Sequence, residues 1–388
     1  MKLFVILSRV PYPLEKGDKL RAFNQMKELS KKHEIFLCAL NDHKIHPDAI
    51  SILSDYCKKI YIFPITKWSI FINVILFFFK GKPLQCGYFY RHSIYKKINK
   101  LIQTIQPDHI YSQLIRTTEY VKSQKINKTL DYQDAFSKGV NRMMEKAPFW
   151  KRFVLSIEYK RLLRYEKEIF NCFDNHTIIT HVDRVFIPHL SAKSITVVPN
   201  GVDLSLFSPI NKEKIYDLIF TGNFSYPPNI DAATFLVQEI LPVLKEKYPN
   251  ILVVICGANP TTKVKSLQGE NVIVTGWVDD IRSFYAQSRI FIAPMRLGTG
   301  LQNKLLEAMA MKIPCIASPL ASEPLNAEKD KEIIVCNSIL GYVDAINMLL
   351  SDKAFYQTLS ENAFLFVKKN YNWEHTSSIL EKLLINNK

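Results

Sequence analysis

One segment in the second half of the chain brings together residue types that bind a nucleoside diphosphate. It carries an arginine after an apolar run, two glycines flanking a threonine, and a lysine and a glutamate three residues apart: Arg296, Gly298, Thr299, Gly300, Lys304 and Glu307. Arginine and lysine neutralise a diphosphate, amides at a glycine-rich helix start add partial positive charge, and a glutamate accepts hydrogen bonds from ribose hydroxyls. A solvated Lys–Glu pair is the alternative, but it leaves the convergence of glycines, an arginine and a buried strand unexplained.

Two other glycine turns in this half follow strand-like runs. Gly222 and Asn223 come after the run Asp217–Thr221 and precede a helical pattern, an order that aims backbone amides at a phosphate. Gly276 and Trp277 follow another run and precede two carboxylates. An aromatic ring beside carboxylates can hold a nucleobase, or Trp277 can belong to the core.

The first half has a different loop after its first strand-like run, Leu3–Ser8. The loop contains two prolines and ends in Lys16, Gly17 and Asp18, where a helical pattern begins. Gly17 at the helix start lets a substrate approach the backbone closely. The GxGxxG spacing of dinucleotide-binding folds is absent, so the loop predicts either a contact to an acceptor substrate or an ordinary strand-to-helix connection.

Two aspartates stand at the end of a later run in the first half, Thr129–Tyr132. Asp131 and Asp134 are placed where a carboxylate can act as a general base or polarise an acceptor hydroxyl. The alternative is structural, because Asp134 or Ser137 can cap the helix that follows.

Thirteen short strand-like runs alternate with helical patterns along the chain. Continuous apolar strands between helices predict parallel sheets covered on both faces. The alternation pauses at 199–214, where turn-forming residues precede a charged stretch, so we expect two domains, over 1–198 and 199–369. Doubly wound sheets bind ligands at the carboxyl ends of their strands, which is where these motifs stand.

The positive charge of the chain is concentrated in its first half. Residues 1–200 hold 33 lysines and arginines against 17 aspartates and glutamates, a net charge of +16, whereas the remainder has a net charge of −1. Such an excess marks a surface for nucleic acid or for an anionic membrane, or it is ordinary solvated surface. Seven scattered cysteines without a CxxC pair give no support to a zinc site and fit a reducing cytoplasm.

A short apolar and aromatic stretch, Trp68–Phe79, is flanked by lysines. Spanning a bilayer takes about 20 apolar residues, so twelve are too few. The stretch predicts a helix that lies in the membrane interface, or a buried helix with basic ends.

Three segments together resemble GT-B glycosyltransferases of family 4, the glycosyl transferases group 1. They are Pro199–Asp203, Gly276–Val278 and Lys304–Ala310, and the likeness extends over nearly the whole chain. The segments 11–21 and 131–137 are similar to a bacterial branch that assembles exopolysaccharide and cell-surface glycans. The resemblance implies an α/β fold of two Rossmann-like, doubly wound domains facing across a cleft, with helix 370–388 packing back on the N-terminal domain.

The resemblance also implies roles for the candidate residues of the C-terminal domain, which would hold a nucleotide sugar. Arg296 and Lys304 are expected at the diphosphate and Glu307 at the ribose. Thr299 stands where the family usually has its first glutamate.

In the N-terminal domain, the segment Leu130–Asp134 occupies the place where many members have a histidine. Asp134, and after it Asp131, is therefore the expected catalytic group on the acceptor side.

These expectations describe a retaining, metal-independent glycosyltransferase of the hexosyltransferase type. The nucleotide sugar is a co-substrate, so no cofactor is expected, and the acceptor is a glycan or a lipid-linked molecule. The protein is expected in the cytoplasm, on the inner face of the membrane, with an anionic membrane surface as a partner of the basic domain and no nucleic acid. A GT-B nucleotide-sugar epimerase and a non-catalytic protein that binds an anionic surface are the alternatives.

Overall fold

A computed structural model describes residues 1–298 and 300–385. The chain forms two compact units, one made of Met1–Pro199 together with the segment from Thr376 onward, the other of Asn200–His375. We call them the N-terminal and C-terminal domains. The sequence placed the first boundary at 198/199 and the return to the first domain at 370, whereas the units exchange at 199/200 and at 375/376.

The N-terminal domain is built on a seven-stranded sheet in which every pairing is parallel. The strand order is β3-β2-β1-β4-β5-β6-β7. The strands are β1 Lys2–Leu7, β2 Glu34–Asn41, β3 Lys59–Pro64, β4 His109–Gln113, β5 Lys128–Gln133, β6 Asn175–Ile178 and β7 Thr196–Val197. The helices are α1 Gly17–Leu29, α2 Ala49–Ser54, α3 Lys67–Phe79, α4 Leu84–Phe89, α5 His92–Ile105, α6 Phe136–Lys146, α7 Phe149–Phe170 and α8 His181–Arg184.

Strand β1 shows why this sheet needs helices on both faces. Successive side chains of a strand point to opposite faces. Leu3, Val5 and Leu7 pack in the cluster on one face, whereas Phe4 and Ile6 pack in the cluster on the other. A strand that is apolar at every position is stable only when both faces are covered.

The C-terminal domain repeats the design with a six-stranded parallel sheet of order β10-β9-β8-β11-β12-β13. The strands are β8 Tyr216–Thr221, β9 Val253–Cys256, β10 Val272–Gly276, β11 Ser288–Ala293, β12 Cys315–Ala317 and β13 Ile334–Val335. The helices are α9 Pro227–Phe235, α10 Leu241–Lys247, α11 Thr262–Lys265, α12 Ile281–Ala286, α13 Asn303–Ala310, α14 Pro319–Ser322, α15 Ile339–Ser351 and α16 Lys353–Asn370. A π-helical turn, Leu236–Ile240, joins α9 to α10.

The last helix, α17 Trp373–Ile385, begins in the C-terminal domain and ends in the N-terminal domain. At its start, Trp373 packs so closely against Gly201 that a Cβ there would lie 2.7 Å from the Trp373 nitrogen. Further along, Leu380 and Leu384 are buried in the same cluster as β1. Hydrophobic burial therefore holds the end of the chain on the N-terminal domain.

Each of the thirteen strand-like runs is a strand, and two Rossmann-like domains confirm the predicted fold class. The helix predicted over 230–248 begins earlier, at Pro227, because proline is favoured in the first turn of a helix. The helix predicted over 301–311 begins at Asn303, so Gly298 and Gly300 lie in the loop before it.

Candidate functional site

Lys304 is the second residue of α13, the helix that follows β11 in the C-terminal domain. Its ammonium donates a hydrogen bond to Asn229 Oδ1 at 2.7 Å and lies 4.6 Å from the centre of the Phe220 ring. Desolvation lowers the pKa of Lys304 to about 7, and the nearby Glu307 opposes this by raising it. The side chain is half-buried, so an anionic ligand can reach it and restore its charge. This is a suitable contact for a diphosphate.

Glu307 lies almost one turn further along α13 and is held by a tyrosine. The Tyr285 hydroxyl donates to Glu307 Oε2 at 2.9 Å and lies 2.9 Å from Thr221 Oγ1, at the end of β8. Desolvation raises the pKa of Glu307 to about 7, against the opposing effects of the Tyr285 hydrogen bond and of Lys304. With Oε2 fixed by the tyrosine, Oε1 can accept a hydrogen bond from a ligand hydroxyl.

Gly222 and Gly257 are packed so closely that neither leaves room for a side chain. A Cβ on Gly222 would lie 2.7 Å from Asn229 Nδ2, and a Cβ on Gly257, whose φ is +148°, would lie 1.9 Å from the Gly222 carbonyl oxygen. Asn229 also donates to the carbonyl oxygen of Asn223 at 2.9 Å. Because Asn229 also contacts Lys304, it ties the loop after β8 to helix α13.

Asn223, predicted as a contact to the nucleotide, shapes its own loop in the structure. Its Oδ1 accepts hydrogen bonds from the backbone nitrogen and the hydroxyl of Ser225, at 3.0 and 2.8 Å. This arrangement is an Asx turn, which orders the segment between β8 and α9.

Gly276 ends β10 with a φ of +72°, in the left-handed region that favours glycine. Its carbonyl oxygen accepts from the Gly257 nitrogen at 3.1 Å, and the Gly222 nitrogen donates to the Cys256 carbonyl at the same distance. The ends of β8, β9 and β10 therefore meet through glycines. Trp277 is 68% exposed, which rules out the core alternative and leaves its ring accessible to a base.

The loop before α13 has the glycine geometry that the motif predicted. Gly298 and Gly300 have φ of +97° and +82°, and a Cβ on Gly298 would lie 3.2 Å from Pro228. Thr299 lies outside the described residues. The side chain of Gln302, the N-cap of α13, makes no capping hydrogen bond, so the first amides of this helix can be met by an anion.

Arg296 does not take the position predicted for it at the diphosphate. Its guanidinium forms two hydrogen bonds to Asp231, at 3.0 and 3.1 Å, a third to Glu239 at 3.0 Å, and lies 4.3 Å from the centre of the Phe235 ring. The three partners recur every four residues, so α9 and the turn after it present them along one side. Both carboxylates already neutralise this cation.

Asp131 is not an accessible catalytic group, which corrects the second candidate in the N-terminal domain. Its carboxylate is fully buried and accepts from Arg21 Nε at 2.8 Å, from Arg21 Nη2 at 3.0 Å and from Thr177 Oγ1 at 2.7 Å. Arg21, equally buried, also donates to the Val198 carbonyl at 2.8 Å. A buried carboxylate engaged by an arginine on both oxygens is closed to a substrate, and loss of either partner would leave the other charge buried and unpaired.

Asp134, the first catalytic candidate, is accessible to solvent beyond the end of β5. Protein groups around its exposed tip still desolvate it, and this desolvation, together with the carboxylate of Asp183, raises the pKa of Asp134 to about 7. Neither Asp134 nor Ser137 caps α6, since the N-cap is Ala135 and the Ser137 nitrogen donates to Glu166 Oε1 at 3.1 Å. The helix-cap alternative is therefore wrong.

The predicted acceptor residues lie at the start of α1, beside a cavity of about 550 Å³ that Lys16 helps to line. A Cβ on Gly17 would have no atom within 4 Å, so the backbone there is open to approach. Asp18 is engaged with Arg9, its Oδ2 accepting from Arg9 Nη1 at 2.9 Å.

A second cavity of the N-terminal domain contains two arginines that the sequence did not single out. Arg9, Arg116 and Val74 contribute to its wall, and its volume is about 590 Å³. Both guanidiniums lie near the Phe89 ring, that of Arg9 at 5.9 Å and that of Arg116 at 5.4 Å from its centre. Desolvation lowers the pKa of Arg116, and the charge of Arg9 lowers it further. The carboxylates of Asp18 and Asp134 oppose these effects, and an anion in this cavity would stabilise the charged form of Arg116 further.

Three supporting residues of the C-terminal site were missed by sequence reasoning, namely Thr221, Asn229 and Tyr285. Each of them acts by a side-chain contact to a residue far along the chain. Only the spacing of Asn229 after Gly222 is a sequence signal, and it could have identified Asn229. Over residues 1–298 and 300–385, no group of three or more His, Cys, Asp or Glu side chains is arranged to hold a metal ion.

Comparison with known proteins finds a family match within the C-terminal domain. Residues 216–352 match the family described as glycosyl transferases group 1, and the matched segment runs from β8 through α15. A protein of Klebsiella pneumoniae, described as an uncharacterized 44.6 kDa protein in the cps region, is 22% identical over 98% of this chain and 99% of its own. The Escherichia coli UDP-Gal:alpha-D-GlcNAc-diphosphoundecaprenol alpha-1,3-galactosyltransferase is 26% identical over 47% of this chain and 52% of its own.

Solved structures show the same fold over the full length. HepE of Anabaena, solved in complex with UDP, has a TM-score of 0.69 at 12% identity, with all of both chains covered. Sucrose-phosphate synthase from Thermosynechococcus elongatus has a TM-score of 0.66 at 14% identity, with 99% of this chain and 98% of that chain covered. The resemblance to group 1 glycosyltransferases is confirmed over residues 216–352, and the solved structures confirm the two-domain GT-B fold.

Proposed function

We propose that this group 1 glycosyltransferase moves a hexose from a nucleotide sugar to a lipid-linked acceptor, with retention of configuration and without a metal ion. The observation that carries the proposal is the Lys304–Glu307 pair, held by Asn229 and Tyr285 beside three glycine-bearing strand ends. The match to group 1 glycosyl transferases covers the same residues.

Each part of the donor site has a role that follows from its chemistry. Lys304 and the first amides of α13 bind the diphosphate, because a cation and helix-end dipoles both attract it. Glu307 accepts from a ribose hydroxyl through Oε1. Trp277 stacks on the base, and Gly276 lets the base approach the end of β10.

The reaction breaks the bond between the anomeric carbon and the diphosphate oxygen and forms one between that carbon and the acceptor oxygen. The departing diphosphate gains negative charge, which Lys304 stabilises, and an oxygen of that leaving group takes the proton of the acceptor hydroxyl. Attack on the face from which the diphosphate leaves retains the configuration, as the resemblance to family 4 implies. A lysine already in place supplies the positive charge, and for this reason we propose that no metal ion is required.

Asp134 is the proposed polarising group on the acceptor side. It is the accessible carboxylate at the end of β5, and a pKa raised to about 7 suits a group that accepts a hydrogen bond from a hydroxyl near neutral pH. Lys16 and Gly17 offer further contacts where α1 begins.

The cavity with Arg9 and Arg116 favours an acceptor that carries phosphate. Two guanidiniums in one cavity suit a diphosphate, and Val74 of the apolar helix α3 supplies a wall for a hydrocarbon chain. The E. coli relative is named for an acceptor of this chemistry, a sugar linked through diphosphate to undecaprenol. Such an acceptor places the protein at the cytoplasmic face of a membrane, where the net charge of +16 in residues 1–200 favours anionic lipid.

The experiment is release of nucleoside diphosphate from a panel of UDP-, GDP- and ADP-sugars, with and without EDTA and a bacterial lipid extract. We expect release from one donor, undiminished by EDTA and increased by the extract. Loss of activity in EDTA that added Mg²⁺ restores would contradict the metal-free mechanism. A folded protein that interconverts donor sugars without transferring them to the extract would be an epimerase.

A further inference from the structure

Helix α3 exposes an apolar face that the fold leaves uncovered. Its exposed side chains recur at helical spacing along one side: Trp68, Phe71, Ile72, Ile75, Leu76, Phe78 and Phe79, the last being 81% exposed. A helix that is apolar all round is normally buried on every side. This one is buried on one side only.

The opposite side of α3 already makes the contacts that the fold requires. Phe77 is buried, and a Cβ on Gly87 of α4 would lie 2.7 Å from the Phe77 Cβ, so the two helices pack closely. Arg91 Nε donates to Ser69 Oγ at 2.7 Å near the start of α3. These contacts fix the helix, so folding alone does not explain why its outer side is apolar.

The first turns of α7 expose a second apolar group. Phe149, Trp150, Phe153 and Val154 are exposed, Phe149 by 89%, and Met143 at the end of α6 is exposed beside them. In the described chain, 12 of the 25 exposed large apolar side chains lie on α3 or in this part of α6 and α7, whereas the others are scattered. Isolated exposed apolar residues are normal, but a concentration of this kind marks an interaction surface.

Arg161 of α7 joins the two groups into one surface. Its Nη2 donates to the Phe78 carbonyl at 2.8 Å, and its guanidinium lies 4.4 Å from the centre of the Phe78 ring. The exposed start of α7 is two to three turns from Arg161 on the same helix. We call the exposed residues of α3 and of α6–α7 named above the two-helix surface.

The charges around this surface are mostly positive, although the exposed Glu145 shares a cavity with Phe149 and Phe153. From Tyr56 to Pro107 the chain contains nine lysines and arginines and no aspartate or glutamate. Lys67 and Lys80 border α3, and Lys151 and Arg152 are exposed between the aromatic residues of α7. A protein partner would ordinarily be matched by charges of both signs, whereas apolar and aromatic side chains with a basic border match an anionic lipid interface.

We propose that the two-helix surface inserts its aromatic and aliphatic side chains into the interface of an anionic bilayer, with α3 and the start of α7 both in contact with lipid. None of the helices in the described residues has the combined length and apolarity of a bilayer-spanning helix. The inference rests on the proposed function in one respect, the lipid-linked acceptor. The arginine cavity is walled by Val74 of the same α3, so an acceptor anchored in lipid would reach it directly.

The test is sedimentation of the full chain with vesicles of phosphatidylcholine containing phosphatidylglycerol, and with vesicles of phosphatidylcholine alone. We expect binding to the anionic vesicles and a loss of about tenfold or more in partitioning for F71S/F79S and, separately, for W150S/F153S. Leu190→Ser is the matched control, because Leu190 is 99% exposed in the same domain but distant in sequence from both helices, and we expect its binding to be unchanged.

Three outcomes would overturn the proposal. They are equal partitioning of the wild type and both double variants, loss in the α3 variant with none in the α7 variant, and a concentration-dependent dimer that both double variants abolish in the absence of lipid. Circular dichroism and retained binding of nucleotide sugar verify that the variants are folded. Lys304→Ala separates this proposal from the proposed function, since it should lose donor binding and keep vesicle binding.

Discussion

The strand ends of the two domains present different chemical groups. In the C-terminal domain, β8 and β9 are followed directly by Gly222 and Gly257, and β10 ends at Gly276. Because glycine has no side chain, a ligand at these strand ends would contact the backbone. In the N-terminal domain, β4 ends in Gln113 and β5 runs into Asp134, so side chains occupy the corresponding edge. We call the strand ends of the C-terminal domain the glycine edge. Its backbone groups suit a part of the ligand that is the same in every nucleotide sugar, such as the diphosphate. The side chains at the strand ends of the N-terminal domain can be substituted to suit different acceptors.

The same contrast holds for the charged residues. The C-terminal domain leaves Lys304 half-buried, whereas the N-terminal domain buries Arg21 completely and neutralises it with Asp131. One cation is available to a ligand and the other serves stability. Substitutions at the first position should therefore change ligand binding, and substitutions at the second should change the free energy of unfolding.

The largest effect is expected for Asp131→Asn. The substitution keeps the volume but leaves Arg21 buried without its counter-charge, which costs about 3–5 kcal/mol. We expect a lower urea midpoint for the N-terminal domain, followed by circular dichroism, with Asp55→Asn on the surface as the control. If stability were unchanged and transfer alone were lost, Asp131 would be catalytic after all.

Asp134→Asn should lower the transfer rate about a hundredfold, because polarisation of the acceptor hydroxyl is lost. We expect the Kd for the nucleotide sugar and the urea midpoint to stay the same, since Asp134 belongs to the other domain and is exposed. Stopped assays of product formation and calorimetry measure the two quantities. Weaker donor binding with an unchanged rate would place Asp134 in the donor site.

The pH dependence of donor binding sharpens the contrast further. With a pKa of about 7 in the unliganded protein, Lys304 loses its proton as the pH rises above neutrality. Only the ammonium binds the diphosphate, so the Kd should rise by up to about tenfold per pH unit above pH 7. A nucleotide sugar is the proper ligand here, because its diphosphate diester keeps a constant charge near neutral pH. Lys304→Arg should flatten the profile, since arginine stays charged; a flat wild-type profile would contradict this role.

A smaller effect is expected for Tyr285→Phe. The substitution removes the hydrogen bond of 2.9 Å to Glu307 Oε2, so the carboxylate is no longer held and its pKa rises further. Hydrogen bonds to charged groups contribute about 1.5–3 kcal/mol, part of which solvent replaces, so we expect the KM for the donor to rise about tenfold. Tyr248→Phe, which removes a hydroxyl elsewhere in the same domain, is the matched control. An unchanged KM would indicate that Glu307 does not contact the ribose.

The fold could be predicted from sequence because its signals are local. Most strands of the two sheets are short apolar runs, and the glycines at the ends of β8 and β10 stand where parallel strands end. Lys304 and Glu307 share a helix, so their proximity follows from spacing alone.

The errors concern pairs that lie far apart along the chain. Asp131 meets Arg21, 110 residues away, and Arg296 meets Asp231 and Glu239, 65 and 57 residues away. Spacing contains no information on such contacts. The exposed start of α7 was missed for a related reason, because a sequence pattern marks residues as apolar but does not show which of them the fold leaves uncovered.

The most direct measurement is the Kd of the nucleotide sugar for the full chain carrying Lys304→Ala or Arg296→Ala, by calorimetry. Both variants lose one positive charge from the same domain, but only Lys304 adjoins the glycine edge, while Arg296 is engaged by two carboxylates. We expect a loss of about a hundredfold or more for Lys304→Ala, as for removal of a charge-assisted contact, and less than about threefold for Arg296→Ala. The reverse order, or equal losses, would contradict the placement of the donor diphosphate at Lys304.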